Sequence, residues 1–291
     1  MSLTANKIIK EVHEIAEEGF KLGGAEKFQL SLEFGDGFLV YAIFDSVSRF
    51  LKKTGKISFN FSEKKDSYAS LFSELQGNAD FFKQGFHSVY LTWNKSGATL
   101  VPSAFYSENK KEELLGFNFG KQENIQIITE DIKGIDVKVI YAIPTPVKLF
   151  FDTHLSNYKL KHISTALTEH LLSEPANRNE KRAFININTG NFNLLVMEKG
   201  LKFFNSFDFQ SGEDILYYAL FSFEQSGFDP HTDKAIIAGE VEAGSGIHQL
   251  LKHYIKNISF AVADKSIARG TKMAAVPHHY YFNTLNRFVC G

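Results

Sequence analysis

The chain has 291 residues, a formal net charge of −1, 44% apolar residues and a single cysteine. This length allows one large core or two domains. The sequence lacks the clustered basic residues that non-specific nucleic-acid binding requires. An intrachain disulfide framework is excluded, and because no apolar run reaches about 18 residues we expect a cytoplasmic protein without a membrane span.

The first third of the chain predicts a helix followed by three strands. Apolar residues from Ile8 to Ala16 recur at helical spacing, and Gly19 ends that pattern. Residues 28–34 alternate between apolar and polar, and "GDG" then turns the chain into a second, apolar strand. Gly55 is predicted to close the next turn before a third strand, so these three strands would form a meander.

The middle of the chain predicts mixed structure. We expect a helix over 67–83, then a hairpin made of "SVYLTWN" and "ATLVPSAFY", and a short helix at "KEELLG". Two strands follow between residues 124 and 144, and residues 145–173 look mainly helical. The polar stretch "SEPANRNEKR" is the best linker candidate.

After this stretch the opening pattern restarts. Three strands are again separated by turns that contain glycine, and a helix is predicted over 212–226. "KAIIAGE" and "ISFAVAD" predict strands, while "SGIHQLLKHYI" and "HHYYFNTLNRF" predict helices. The repeated order indicates a duplication at the scale of domains. We therefore predict an α/β protein with mixed sheets, divided into lobe I (1–160), a connecting segment (161–182) and lobe II (183–291).

Two such halves resemble the plan of the actin-like ATPase superfamily, in which a ribonuclease H-like motif is duplicated. The stretches "LSLEFGDGF", "YAIPTPVKLFF", "ISTALTEHLL" and "HHYYFNTLNRFVCG" are similar to a Bacteroidetes family of unknown function assigned to this fold. The resemblance implies two hairpin turns that grip phosphates through backbone N–H groups. It also implies an aspartate on each preceding strand that places Mg²⁺, and a glycine pair under the adenosine.

The resemblance places the first two signatures on four residues of this chain. Glu33 falls at the first aspartate position and Gly35 at the turn glycine. The longer carboxylate would displace a metal by about 1.5 Å. Asn188 falls at the second aspartate position and Gly190 at its glycine. Asparagine carries no charge, so it is a poor metal ligand and no base.

The third signature is also incomplete. Gly239 matches the first glycine of the pair, and Glu240 replaces the second with a charge that would repel phosphate. Gly244 and Gly246 flank Ser245 and could form a small anion-binding loop at a helix start. The candidate nucleotide-binding residues are therefore Glu33, Gly35, Asn188, Gly190, Gly239, Gly244 and Gly246. We name no catalytic residue.

Each candidate has a structural alternative. Gly35 and Gly190 could serve tight turns alone, and alanine would then cost about 1 kcal/mol wherever φ is positive. Glu33 could be a surface carboxylate at a strand end, and Ser245 a plain N-cap. The histidines His162, His170, His278 and His279 lack partners at ligand spacing, so no metal site is expected. Cys290 lies too close to the C-terminus for a preorganised nucleophile.

Three functions remain open. A non-catalytic actin-like protein that binds or scaffolds other macromolecules, with a protein partner that the sequence does not name, fits the degenerate signatures. A nucleotide-binding protein or slow ATPase with residual ATP and Mg²⁺ binding is the alternative. A small-molecule kinase rests on fold analogy alone.

Overall fold

The structure is a computed structural model that describes residues 7–62, 66–174 and 180–287. The strands are β1 Ile9–Ala16, β2 Phe28–Gly35, β3 Phe38–Asp45, β4 Phe50–Phe59, β5 Ser88–Asn94, β6 Ala98–Pro102, β7 Ile125–Asp131, β8 Val137–Pro144, β9 Lys159–His162, β10 Arg182–Ile187, β11 Asn191–Met197, β12 Leu201–Asp208, β13 Lys234–Gly239, β14 Asn257–Phe260 and β15 Ala268–Arg269. The helices are α1 Tyr68–Asn78, α2 Lys111–Phe119, α3 Thr145–His154, α4 Ile163–Ser173, α5 Gly212–Ser226, α6 Gly246–Tyr254 and α7 Phe282–Asn286.

Two large sheets share a five-strand order, to which the first sheet adds β1 and β15. The first sheet runs β1-β4-β3-β2-β5-β9, with β15 on the edge of β4, and the second runs β12-β11-β10-β13-β14. In both sheets, three antiparallel strands form a meander. The first strand of the meander pairs with a parallel strand, and that strand pairs in turn with a second parallel strand. The repeated strand order is therefore confirmed, and the mixed α/β class with it. The division of the chain at 161–182 stays a prediction, and part of that segment lies outside the described residues.

The predicted N-terminal helix is wrong, because residues 9–16 form β1. This strand pairs antiparallel with β4, from Ile9 opposite Phe59 to Ala16 opposite Lys53. The helical spacing of its apolar residues is misleading because a bulge between Ile9 and Glu11 shifts the side-chain alternation by one residue. Pairing with β4 satisfies the backbone groups of β1 that face β4, even though most of its side chains are exposed.

Two other local predictions are also wrong. Gly55 lies inside β4 rather than at a turn. Glycine is required there because the ring of Tyr41 and the backbone of His13 occupy the space where a Cβ would project. The predicted hairpin of β5 and β6 does not form. β5 pairs with β2 and β9 in the first sheet, whereas β6 pairs with β8 in a separate sheet of order β6-β8-β7.

Helices α4 and α7 lie between the two large sheets. α4 contacts both β5 and β12, and α7 contacts β2 and β3. The predicted final helix is thus much shorter than expected, and it returns to the first sheet although it follows the second in the chain. Separate apolar clusters fill the other faces of the sheets, one with α1 and α3 and one with α5 and α6.

A partly buried carboxyl joins the small sheet to α4. Glu130 in β7 accepts hydrogen bonds on Oε1 from the backbone N–H of His162 at 2.6 Å and from the Thr165 hydroxyl at 2.8 Å. Burial raises the pKa of Glu130 to about 7, although these two donors oppose the rise. The folded state therefore takes up a proton that the unfolded chain, with a pKa near 4.5, releases.

The first expected result follows from this raised pKa. The contribution of Glu130 to stability is complete below pH 4.5 and is lost as the pH rises through 7. Glu130→Gln keeps the oxygen that accepts both hydrogen bonds and cannot ionise. Between pH 4 and pH 8 we expect the variant to gain roughly 2–3 kcal/mol in free energy of unfolding relative to the unmodified protein. Chemical denaturation at both pH values measures this difference, and a constant difference would contradict it.

Candidate functional site

Five of the seven candidate residues lie where the ends of β2 and β10 approach each other between the two sheets, and the other two, Gly244 and Gly246, lie at the start of α6. Glu33 is on β2 with only 3% of its surface exposed, so its interpretation as a surface carboxylate is wrong. Its Oε1 accepts hydrogen bonds from the amides of Asn94, at 2.6 Å, and Asn283, at 3.3 Å. Its Oε2 accepts one from the hydroxyl of Thr284 at 3.2 Å. Both carboxyl oxygens are thus bonded to the protein itself.

The environment of Glu33 disfavours its charged form. Burial raises the pKa of this carboxyl and the charge of Glu240 raises it further, while the three donors oppose the rise. These donors are neutral amides and a hydroxyl, so the hydrogen bonds replace water without supplying positive charge. Glu33 therefore ties α7 to β2 and does not project an open carboxylate into the cleft.

An asparagine network continues from Glu33 into the second sheet. Asn94 at the end of β5 accepts a hydrogen bond from Asn193 of β11 at 3.3 Å. Asn186 lies directly opposite Asn193 and donates to its Oδ1 at 3.1 Å. Asn188 donates to Asn191 Oδ1 at 3.1 Å. Asn188 also donates to Asn193 Oδ1 at 3.4 Å, so this predicted site residue belongs to a hydrogen-bonded network that reaches Glu33 through Asn94.

Sequence reasoning missed most members of this network. Part of it was visible as a pattern, because "NINTGNFN" carries asparagine at every second position on each side of its turn, at 186 and 188 and again at 191 and 193. Asn94, Asn283 and Thr284 left no local signal. They come from strand and helix ends that are distant in sequence from β2 and β10.

A lysine of the first sheet reaches the turn between β10 and β11. Lys56 of β4 is buried, and its ammonium donates to the hydroxyl of Thr189 at 2.6 Å and to the carboxylate of Glu240. Thr189 lies between Asn188 and Gly190 in the turn of the second hairpin. The carboxylate predicted to repel phosphate is therefore paired with a cation of the first sheet, and this ion pair bridges the two sheets.

Further carboxylates lie at the first turn. Asp36 forms an ion pair with Lys95 at 2.7 Å. Asp208, at the end of β12, has a pKa raised by burial and by the charge of Asp36. Negative charge from both sheets thus meets at this end of the cleft, and the two lysines nearest to the turns, Lys56 and Lys95, are both paired with carboxylates.

The turn glycines differ in their backbone constraint. Gly190 has φ +78° and open space where a Cβ would lie, so only its conformation favours glycine. Gly35 does not have positive φ, and Gly37 is the left-handed residue of the first turn, with φ +81°. At Gly35 a Cβ would come within 2.2 Å of the buried Phe38 ring. The close neighbour at Gly35 is thus an aromatic ring.

The third signature is closed by its own backbone. Gly239 has φ +89°, and a Cβ there would lie 1.9 Å from the carbonyl oxygen of Ile187. Ser245 caps α6, and the N–H of Gly244 donates to His248 Nδ1 at 3.0 Å. Gly246 is the first residue of α6. This loop therefore satisfies itself locally, as expected of a plain N-cap.

The residues do not fit a magnesium site of the kind that the resemblance implies. Both oxygens of Glu33 and the side-chain amide of Asn188 are already hydrogen-bonded within the protein. Among residues 7–62, 66–174 and 180–287, no group of three or more His, Cys, Asp or Glu side chains could hold a metal ion. His162 is buried, with its two ring nitrogens bonded to Ser164 and to the carbonyl of Lys95.

Among the described residues, no helix is long and apolar enough to cross a membrane.

Solved structures with the actin-like ATPase fold are similar to this chain. A protein of unknown function from Bacteroides thetaiotaomicron, described as having that fold, superimposes with a TM-score of 0.70 at 19% identity and covers 88% of this chain and 97% of its own. The PilM-PilN type IV pilus biogenesis complex matches with a TM-score of 0.56 at 11% identity, over 89% of this chain and 96% of that one. The predicted actin-like fold is therefore confirmed.

A family model described as "Protein of unknown function (DUF3822)" matches residues 17–258. No curated protein matches the chain. The match begins just after β1 and ends within β14, so it covers both meanders and the seven candidate residues but not the α7 donors Asn283 and Thr284.

Proposed function

Because this chain belongs to the DUF3822 family and has the actin-like ATPase fold, we propose that it is a non-catalytic member of that fold which acts by binding another macromolecule. The observation that carries the proposal is the ion pair of Lys56 with Glu240, held at the turn of Thr189. A turn that grips phosphate needs open N–H groups and positive charge. Here the nearby ammonium is already neutralised.

The chemistry of phosphoryl transfer supports the same proposal. That reaction depends on a metal held by carboxylates and on positioned charge. At the two metal positions the chain carries a carboxyl that is fully hydrogen-bonded by neutral groups and an amide that is bonded to other asparagines. Loss of one positioned charge commonly lowers the rate by about 10²–10³, and here both positions are altered.

A binding role agrees with the bridges that hold the two sheets together. Glu33, Asn94 and Lys56 of the first sheet all contact residues that follow position 188. A cleft closed in this way gives a rigid surface for a partner. The related fold in the PilM-PilN complex is seen together with another protein, and we propose a protein partner for this chain as well.

Nucleotide binding is the decisive measurement. We expect the thermal midpoint of the purified chain to change by less than about 1 °C when 2 mM Mg-ATP is added. A ligand at about 100 times its dissociation constant adds about 2.7 kcal/mol, which would raise the midpoint by roughly 5 °C or more. A saturable rise of that size would promote the alternative, a nucleotide-binding protein.

Turnover separates a slow ATPase from a binding protein. We expect no phosphate release above background from the unmodified chain, from Glu33→Gln or from Asn188→Asp. Release that is clear in the unmodified chain and abolished in Glu33→Gln would overturn the proposal. If the chain is a binding protein, a partner captured from the source organism should bind it with the same affinity with and without ATP.

A further inference from the structure

Strand β1 forms an open edge of the first sheet. It pairs with β4 on one side, and on the other side no strand of the described residues pairs with it. All residues from Lys10 to Ile15 are exposed, including the apolar Val12 at 37% and Ile15 at 38%. Open edges offer unpaired backbone groups to another strand, so β1 is a candidate interaction surface that does not depend on the proposed function.

The hydrogen-bonding pattern shows which backbone groups of β1 point outward. The N–H of Glu17 donates to the carbonyl of Lys52 at 2.9 Å, in the register that places Ile15 opposite Thr54. In an antiparallel ladder the bonded residues alternate along each strand. The odd-numbered residues therefore face β4, while Val12 and Glu14 present their N–H and C=O groups to the open edge.

The side chains of β1 are complementary to β1 itself in one antiparallel register. With Val12 opposite Val12 of a second copy, Lys10 lies opposite Glu14 and Glu11 opposite His13. Glu11 and His13 contact each other on one face, at 2.5 Å. Glu14 lies on the other face with Tyr41, and Lys10 lies on the α1 side of the strand. Both opposite pairs thus meet on matching faces of a two-fold arrangement.

The other registers that use the same outward backbone groups are worse. A register centred on His13 places Val12 opposite Glu14 and Glu11 opposite Ile15, which pairs charge with apolar surface. A register centred on Glu14 places two carboxylates opposite each other. Charged side chains on an edge normally prevent pairing because like charges meet. In β1 they select one register instead.

We propose that β1 pairs antiparallel with β1 of a second copy of this chain, with Val12 on the two-fold axis, and so joins the first sheets of two copies into one. Val12 of each copy exchanges both backbone hydrogen bonds with its counterpart. One short strand pair is at the small end of specific interfaces. We expect about micromolar to 100 µM affinity, so that the average mass rises from 32.9 kDa toward twice that value as the concentration increases.

Sedimentation equilibrium of the full chain between about 1 and 300 µM tests the dimer. His13→Glu places carboxylates opposite Glu11 and should weaken association at least about tenfold. Glu11→Lys/His13→Glu places a basic side chain at 11 and an acidic one at 13 and should restore association, because both the contact within the strand and the contact between copies are rebuilt. Phe117→Ser, on the exposed side of α2, is the matched control and should leave the mass unchanged.

Cross-linking tests the register. In a bonded antiparallel pair the two Cα atoms lie about 5.5 Å apart, which is within disulfide range. Val12→Cys in a Cys290→Ser background should therefore form a covalent dimer with oxidised glutathione. His13→Cys in the same background should not, because its Cα atoms would be roughly 8 Å apart.

Three outcomes would overturn the proposal. They are a single 32.9 kDa species at every concentration, a dimer that His13→Glu does not weaken, and cross-linking at residue 13 in preference to residue 12. We expect all variants to fold, because the substituted side chains are exposed and Val12 donates no backbone hydrogen bond to β4. Their thermal midpoints check this.

Discussion

Glu33→Ala should lower the free energy of unfolding by about 3 kcal/mol or more. The substitution removes the acceptor of three buried donors, and each donor left without a partner costs about 1–3 kcal/mol. Two of these donors, Asn283 and Thr284, belong to α7, so the loss falls on the contact between the C-terminal segment and β2. Urea denaturation at pH 7 measures the change.

Glu33→Gln is the matched control for this prediction. Its Oε1 still accepts from Asn94 and Asn283, and the hydroxyl of Thr284 can rotate to accept from the new amide. Because burial already raises the pKa of Glu33, removal of the charge costs little. We expect a change within about 1 kcal/mol. An equal loss in both variants would show that the charge itself is required, and that result would favour a cation at this position.

Gly239→Ala should have an effect at least as large, of about 3 kcal/mol or more, or prevent folding altogether. Alanine is strained at φ +89°, and its Cβ would lie 1.9 Å from the carbonyl oxygen of Ile187. That carbonyl accepts the N–H of Glu240, and the N–H of Gly239 donates to the carbonyl of His279. The overlap therefore falls on backbone that cannot move without breaking the end of the β10–β13 pair.

Gly190→Ala separates the two causes of this loss. Gly190 also has positive φ, at +78°, but no atom of the described part of the chain lies within 4 Å of the added Cβ. Only the conformational cost of about 1 kcal/mol should appear. Denaturation midpoints of the two variants, or the soluble yield if Gly239→Ala does not fold, provide the comparison. Equal losses at both positions would contradict a role for the contact with Ile187.

The sequence determined the repeated meander. Alternation of apolar and polar residues over 28–34 and 183–188 is a property of each short stretch, and glycines mark three of the four reversals. The turn between β3 and β4 has no glycine, and the sequence wrongly assigned Gly55 to it. These signals act between neighbours in the chain, so they survive without knowledge of the fold. The same stretches, with "KAIIAGE", place Glu33, Asn188 and Gly239 within or next to the last residues of β2, β10 and β13.

Tertiary structure decided what those residues do. Glu33 became a buried hydrogen-bond acceptor because Asn283 and Thr284, 250 and 251 residues away, donate to it. Glu240 became the partner of Lys56, 184 residues earlier, rather than an isolated charge beside a nucleotide. Residues 9–16 became a strand because the edge of β4 was available to pair with them. In each case the deciding free energy comes from desolvation and hydrogen bonds between distant segments, which no local period in the sequence encodes.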